Sequence, residues 1–168
     1  MNRRTFLAYA STGAALALLS ACGFHLRGSN GEADLPFKTI LLGFTDTSPL
    51  GAELKRNIRA NGTAIVTDPK LAEAIFEVVS ESREKVILSL SSTGRVREYT
   101  LYYKLKFRVR DNQNKELLAP TEIILKRDIS FNDAQVLAKE AEEGLLYRDM
   151  QSDMVQHILR RMAALKPR

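Results

Sequence analysis

The chain is predicted to fold as an α+β two-layer sandwich, a four-stranded sheet covered on one face by two helices in the order β-α-β-β-β-α. Three observations predict it. First, Val96–Arg110 alternates with a period of two: Tyr99, Leu101, Tyr103, Leu105, Phe107 and Val109 share one face, and Tyr102, Lys104, Lys106, Arg108 and Arg110 share the other. Second, long β-compatible segments flank this one and are joined to it by short polar connectors. Third, the last part of the chain changes to a helical period, with Leu146, Met150, Met154, Ile158 and Met162 in an i, i+4 row beside Val155 and Leu159.

The first strand is expected over residues 37–44, a short apolar run ended by Thr45-Asp46-Thr47-Ser48-Pro49. Ser48 is placed to cap a helix with Pro49 at its first position, Leu50, Leu54 and Ile58 fall on one face, and Asn61-Gly62 supplies a left-handed stop. The second and third strands are expected at Ala74–Leu90 and Val96–Arg110, joined by Ser91-Ser92-Thr93-Gly94. The fourth is expected over residues 121–131, after the connector Asp111-Asn112-Gln113-Asn114. The long helix follows from Asn132 or Asp133 onward. One sheet face is then core, while the other is polar, cationic and free.

The N-terminus is an export signal rather than part of this fold. Asn2-Arg3-Arg4 supplies the charged start, residues 6–19 an apolar stretch too short and too rich in alanine to span a bilayer as a stable helix, and Leu19-Ser20-Ala21-Cys22 a bacterial lipobox. Cleavage before Cys22 would leave that cysteine as the first mature residue, carrying a diacylglycerol thioether and a third acyl chain. At about 0.8 kcal/mol per buried methylene, several chains anchor a protein permanently where one myristate does not. Gly23 follows where lipoproteins retained in the inner membrane typically carry Asp, which favours the outer membrane. Arg3-Arg4-Thr5-Phe6-Leu7 fits a twin-arginine signal as well as an ordinary one, so the export route stays open.

Residues 22–36, rich in turn formers, read as a lipidated tether, and residues 37–168 as a single domain. Removing residues 1–21 of 168 leaves 147, enough for one proper core but not two. Losing Arg3 and Arg4 lowers the formal net charge from +5 to +3, so distribution of charge says more about partners than its total. With the single cysteine acylated, neither a disulfide nor a thiol nucleophile is available.

Cys22-Gly23-Phe24-His25-Leu26-Arg27-Gly28 after the lipobox, Gly94-Arg95-Val96-Arg97-Glu98-Tyr99-Thr100-Leu101-Tyr102-Tyr103, and Leu137-Ala138-Lys139-Glu140 together resemble the LptE family of LPS-assembly lipoproteins. The resemblance spans the mature chain in element order and length. It implies a non-enzymatic lipoprotein of the cell outer membrane, lipid-anchored and facing the periplasm. Such a protein plugs the lumen of the β-barrel LptD and helps deliver lipopolysaccharide to the outer leaflet. It also implies that Lys139 contacts the glycolipid, because the family's contacting lysine lies in an Ala-Leu-Ala-Lys segment matched here by Val136-Leu137-Ala138-Lys139. The family's arginine before the hairpin is replaced by Ser92, so Arg95 or Arg97 would have to supply that charge.

Lipid A carries phosphates, which Lys meets as a point charge and Arg as a bidentate donor. Besides Arg95, Arg97 and Lys139, the row Lys104, Lys106, Arg108 and Arg110 is a possible cationic surface. Cross-strand pairing accounts for that row more simply: a turn at Ser92-Thr93 would set Glu81 opposite Lys104 and Glu77 opposite Arg108. For Arg95 and Arg97 a solvated turn explains the residues as well as ligand contact does.

The inventory for catalysis is thin. His25 lies in the tether and His157 in an amphipathic helix, with no second histidine spaced to share a metal, and no nucleophile elbow, phosphate-cradling glycine loop or zinc signature occurs. No catalytic residue, metal or cofactor is implied. Glu140, Glu142 and Glu143 read as charges favoured near a helix N-terminus. Export removes nucleic acid as a partner. Two functions of different classes remain, an interaction protein that plugs and assembles a translocon barrel and a free-standing, periplasm-facing binder of an anionic glycolipid or cell-wall polymer. The resemblance favours the first.

Overall fold

A computed structural model describes residues 35–165, so Cys22 and the export signal lie outside the described residues. The elements are β1 (Thr39–Gly43), α1 (Pro49–Ala60), β2 (Ala64–Ile65), β3 (Ala74–Leu90), β4 (Val96–Arg110), β5 (Glu116–Ser130) and α2 (Val136–Ala163). Single 3-10 turns at Pro69–Leu71 and Asp133–Gln135 precede β3 and α2. The sheet runs in the order β2-β1-β3-β4-β5. β1 is parallel to both its neighbours, and β3, β4 and β5 form an antiparallel meander.

The α+β sandwich with two helices holds, but the sheet has five strands rather than four. The additional strand, β2, has two residues, docked on β1 by Ala64 N–H to Lys38 O and Val66 N–H to Ile40 O. A segment that short carries no period to read. β5 also begins earlier than residue 121. Pro120, which lacks an N–H, falls where the β4–β5 register shifts between Phe107/Val109, and pairing resumes beyond it at Leu118 and Glu116. Proline is tolerated in a strand at such an irregularity on a sheet edge, so it interrupts this strand without starting it.

Local chemistry accounts for the boundaries. Ser48 Oγ accepts from Gly51 N–H at 3.0 Å at the start of α1, and Gly62, at φ 77°, turns the chain away after its end. The two hairpins share one construction. Gly94 N–H bonds Ser91 O and Asn114 N–H bonds Asp111 O, and in each case that last turn residue is left-handed, Gly94 at φ 77° and Asn114 at φ 65°. The Asp111 carboxylate, buried, also accepts from Gln113 and Lys115 N–H, which fixes the second hairpin.

The core lies between the sheet and both helices. β4 presents Leu101, Tyr103, Leu105, Phe107 and Val109, all fully buried, to Leu50, Leu54 and Ile58 of α1 and to Met150, Met154, Ile158 and Met162 of α2. Phe76 stacks on Phe107 at 4.8 Å and on Phe44 at 5.3 Å, joining β3, β4 and the loop before α1. Leu35 and Phe37 belong to the same core, so the chain is packed before β1 begins. Only the second half of α2 is buried. Its first three turns stand outside the core, with Leu137 82% and Leu145 56% exposed.

A bulge in β3 decides which side chains those turns meet. Up to Val78 the strand pairs with β4 so that Glu77 opposes Arg108, as the sequence predicts. Between Val78 and Ser80 the register shifts by one residue, and Glu81 then opposes Leu105 on the helix side, not Lys104. One extra residue on one strand reverses the alternation beyond it, which a count from the hairpin does not reveal. Arg83 and Lys85 follow Glu81 onto the helix side, opposite Tyr103 and Leu101. Beyond Glu77, where β1 ends, β3 has one strand neighbour, β4.

Met154 sits at the middle of the buried row of α2 with no exposed surface. Met154→Ala is expected to lower unfolding free energy by roughly 2–5 kcal/mol, the range for truncating a buried side chain of this size. Urea denaturation followed by circular dichroism measures it.

Candidate functional site

β3 runs for 17 residues away from the point where the chain enters the fold, and the β3–β4 hairpin forms the far tip of the domain. The return strand β5 ends beside that tip. Ser130 pairs with Glu98, and Phe131 N–H bonds Arg97 O at 2.7 Å. α2 starts from the same place. Arg95, Arg97 and Lys139, separated by more than forty positions between hairpin and helix, are therefore carried to one end of the molecule.

The three cations are held differently. Lys139 is largely covered, its Nζ donating to Ser130 Oγ at 2.9 Å and to Glu142 at 2.8 Å. An ammonium has three donors, so one remains for a ligand oxygen, and Glu142 offsets part of the charge until an anion competes for it. Arg95 and Arg97 are exposed, and their guanidinium groups make no ion pair or hydrogen bond among the described residues. Arg95, Ser91, Phe131 and Asn132 border an open groove of about 640 Å³ between the hairpin tip and the turn that leads into α2.

Apolar side chains surround these charges. Ile87, Leu88 and Leu90 of β3 are each about half exposed, and Leu137 and Leu145 stand out from the first turns of α2. Periodicity of the sequence did not single these out, because alternation and helical rows report faces of elements and not which part of an element overhangs the core. Exposed apolar surface concentrated next to cations suits an amphiphile with anionic head and hydrocarbon tails.

The cationic sheet face is arranged otherwise. Arg108 and Arg110 both bond Glu77, at 2.6 and 2.7 Å, and Lys104 bonds Glu84 at 2.7 Å. Bonding from Arg110, helped by Arg108, holds the Glu77 carboxyl below its ordinary range against the opposing effect of burial. Only Lys106 of that row has no side-chain partner among the described residues, and it borders a smaller hollow of about 350 Å³ with Val79 and Pro120. Three of the four charges are thus cross-strand partners, with Glu84 in the place that counting gave to Glu81.

Glu81 instead belongs to a network under α2 that the sequence did not disclose. Tyr103 donates to Glu81 at 2.6 Å, and Arg83 bonds the Tyr103 hydroxyl and Gln151. Gln151 and Ser152 in turn bond Glu53 of α1 at 2.7 Å. Burial pushes the Tyr103 phenol well above its usual value; Arg83 opposes this and Glu81 adds to it. The guanidinium of Arg83 lies 4.6 Å from the Tyr103 ring centroid and 5.4 Å from that of Tyr147, whose hydroxyl bonds Glu84 O. Nearer the tip, Lys85 pairs with Glu143 at 2.6 Å and sits 4.4 Å from the Tyr99 ring. These contacts steady the overhanging turns of α2, and with them Lys139. Their only signal in the sequence is the adjacent pair Val78-Val79, where apolar alternation breaks.

Comparison with known proteins gives a consistent result. The family model described as LptE: Lipopolysaccharide-assembly matches residues 37–162. The chain is 25% identical over 155 residues to the LPS-assembly lipoprotein LptE of Pectobacterium atrosepticum, covering 91% of this chain and 83% of that protein. To the LPS-assembly lipoprotein LptE of Photorhabdus laumondii it is 24% identical over 157 residues, covering 89% and 81%. Among solved structures, the solution structure of an uncharacterized lipoprotein B from Nitrosomonas europaea superposes with a TM-score of 0.73 at 44% identity, over 84% of this chain and 91% of that one. The crystal structure of the rare lipoprotein B from Shewanella oneidensis gives a TM-score of 0.67 at 30% identity, over 75% and 94%.

The depressed Glu77 pKa fixes the sign of a pH effect. Glu77 contributes stability that is present above its unfolded value and is lost as pH falls through the lower folded one. Glu77→Gln is expected to destabilise the domain at neutral pH, and the gap to the parent should close in acid. Urea midpoints of both proteins measured across that range check the sign.

Proposed function

The chain belongs to the LptE lipopolysaccharide-assembly family, and from that premise we propose that it is a non-enzymatic lipoprotein which plugs the outer-membrane β-barrel LptD, aids its assembly and helps insert lipopolysaccharide into the outer leaflet. In this reading residues 1–21 are removed on export, acylated Cys22 anchors the chain, and residues 22–36 tether a single domain that faces the periplasm and the barrel lumen.

The observation that carries the glycolipid half of the reading is the far tip. Arg95, Arg97 and Lys139 converge there beside exposed Ile87, Leu88, Leu90 and Leu137. Lipid A presents phosphates next to acyl chains, and a surface with cations next to apolar side chains matches both parts. Lys139 is the best-positioned contact, fixed by Ser130 and Glu142 before any ligand arrives. The neighbouring arginines, exposed on the hairpin, are free to swing onto a second phosphate. On the sheet face three of the four cations are already bonded to carboxylates, Arg108 and Arg110 sharing Glu77 and Lys104 holding Glu84, so they are less available to a phosphate than the arginines of the tip. The sheet face's amphipathic mixture of Tyr102, Ile124 and ion pairs suits contact with the polar wall of a barrel.

Two experiments separate these roles. Charge reversal at the tip, Arg95→Glu with Lys139→Glu, is expected to weaken lipopolysaccharide binding roughly tenfold or more, by analogy with removal of charge-assisted contacts, while leaving recovery with the barrel unchanged. Unaltered binding in the double variant removes both residues from the site. Affinity purification of the tagged protein from its own outer membrane in mild detergent is expected to recover one large β-barrel at equal stoichiometry. Recovery alone with lipopolysaccharide still bound would favour the free-standing binder.

A further inference from the structure

α2 is built from two unlike parts, and the boundary between them falls at Gly144. Every buried residue of the helix lies on the C-terminal side, from Met150 to Met162. Leu146 and Tyr147 are the first of its side chains to pack against the core, and Val136 to Leu145 contribute none. Beyond Gly144 the helix is also tied down by Tyr147, whose hydroxyl donates to Glu84 O, and by Gln151, which accepts from Arg83 and donates to Glu53. Before Gly144, two side-chain contacts reach the sheet among the described residues, Lys85 with Glu143 and Lys139 with Ser130. Both are open to solvent, and exposed polar contacts of this kind each hold weakly.

The start of α2 is no firmer. The 3-10 turn before it is capped, Asn132 Oδ1 accepting from Ala134 N–H, but the Gln135 side chain at the head of α2 caps nothing. The first turn, Val136-Leu137-Ala138-Lys139, carries no carboxylate to meet the helix dipole and ends on a cation that opposes it. Pairing of Lys139 with Glu142, three residues on, stiffens the helix internally without tying it to the sheet. Gly144 then interrupts a run of good helix formers. A β-carbon there would meet nothing within 4 Å outside the helix's own backbone, so no close contact calls for glycine. It weakens the helix relative to alanine all the same. A helical stretch this short, without core packing, is marginal by itself.

We propose that Val136–Gly144 is a hinged clasp at the tip. Closed, in the arrangement described above, it holds Lys139 beside Ser130 and completes the glycolipid site; open, by unwinding at Gly144, it carries Lys139 away and lets the glycolipid go. The proposal rests on the tip reading and adds to it how that site releases its ligand. A ligand that binds only the closed form shifts the segment toward closure, and the same coupling makes opening a route of dissociation. Exposed Leu137 travels with Lys139, so one motion withdraws a charge and an apolar contact together. Arg95 and Arg97 stay on the β3–β4 hairpin. The fold survives the opening because all the buried side chains of α2 lie beyond the hinge. Such a division suits a carrier, which has to bind an amphiphile and then surrender it, and moving parts are drawn from the least stable segments of a fold.

Hydrogen exchange followed by mass spectrometry, on the mature chain in mild detergent, reads the clasp directly. Amides of Glu140–Glu143 lie past the first turn and so are hydrogen-bonded within the helix. In the free protein their protection is expected to be lower than that of Met150–Met162 by roughly tenfold or more, and lipopolysaccharide should raise it. Gly144→Ala is expected to slow both this exchange and the dissociation of lipopolysaccharide, each roughly two- to fivefold. Lys85→Met, below the clasp on β3, should move both rates the other way, and Lys85→Arg should restore them. Equal protection of the two segments in the free protein overturns the hinge. Parent-like dissociation from Gly144→Ala and Lys85→Met, once their exchange has changed, overturns its coupling to release. Parent-like lipopolysaccharide binding by Lys139→Glu, with fast exchange still confined to the first part of α2, places the failure in the tip reading and takes from the opening the role given to it here.

Discussion

The period of two in β4 is the constraint from which the rest of the domain follows. This strand has a long neighbour on each side, and every second residue must enter the core formed with both helices. Slipping it by one position would bury Lys104, Lys106 and Arg108 and expose Leu105 and Phe107, so its register has no alternative of similar energy. β3 and β5 adapt to it by irregularity, the bulge at Val79 and the shift around Pro120. α1 and the second half of α2 then cover what β4 presents, and the charged face is left to pair across strands.

Where one rule dominated, the sequence was legible. β3 and β4 have the limits expected of them because alternation and turn chemistry agree at both ends. α1 has its Ser48 cap and its Gly62 stop for the same reason. The misses share another cause, which is information that does not reside in a local period. β2 exists because β1 offers an edge to two residues. The early part of β5 is masked by a proline that a sheet edge tolerates. Glu81 changes partners because a single inserted residue reverses everything after it. At the tip, the residue types at Arg95, Arg97 and Lys139 could be read, but their meeting depends on Ser130 pairing with Glu98, a long-range register.

The bulge also separates two electrostatic regimes on one strand. Before it, Glu77 serves the sheet face, its one carboxylate shared by Arg108 and Arg110. After it, Glu81, Arg83 and Lys85 turn toward α2, where an apolar lining would ordinarily be found. That exchange lets the helix extend past the hydrophobic core, supported by ion pairs and aromatic faces instead of buried carbon. The charges of the meander therefore divide between cross-strand pairs on the open face, at Lys104, Arg108 and Arg110, and braces beneath the helix, at Arg83 and Lys85.

The free edge of β3 beyond Glu77 has a consequence for the chain's solubility. A long strand with one neighbour is a template on which another extended chain can grow, the usual route to edge-to-edge aggregation. Here the run Glu81-Ser82-Arg83-Glu84-Lys85 occupies that edge, and the Tyr147 hydroxyl takes the carbonyl of Glu84. An incoming strand would have to displace that hydroxyl and bring its own residues against alternating charges. The charged middle of that edge is thus guarded against an incoming strand, whereas the apolar residues Val86 to Leu90 nearer the tip remain exposed.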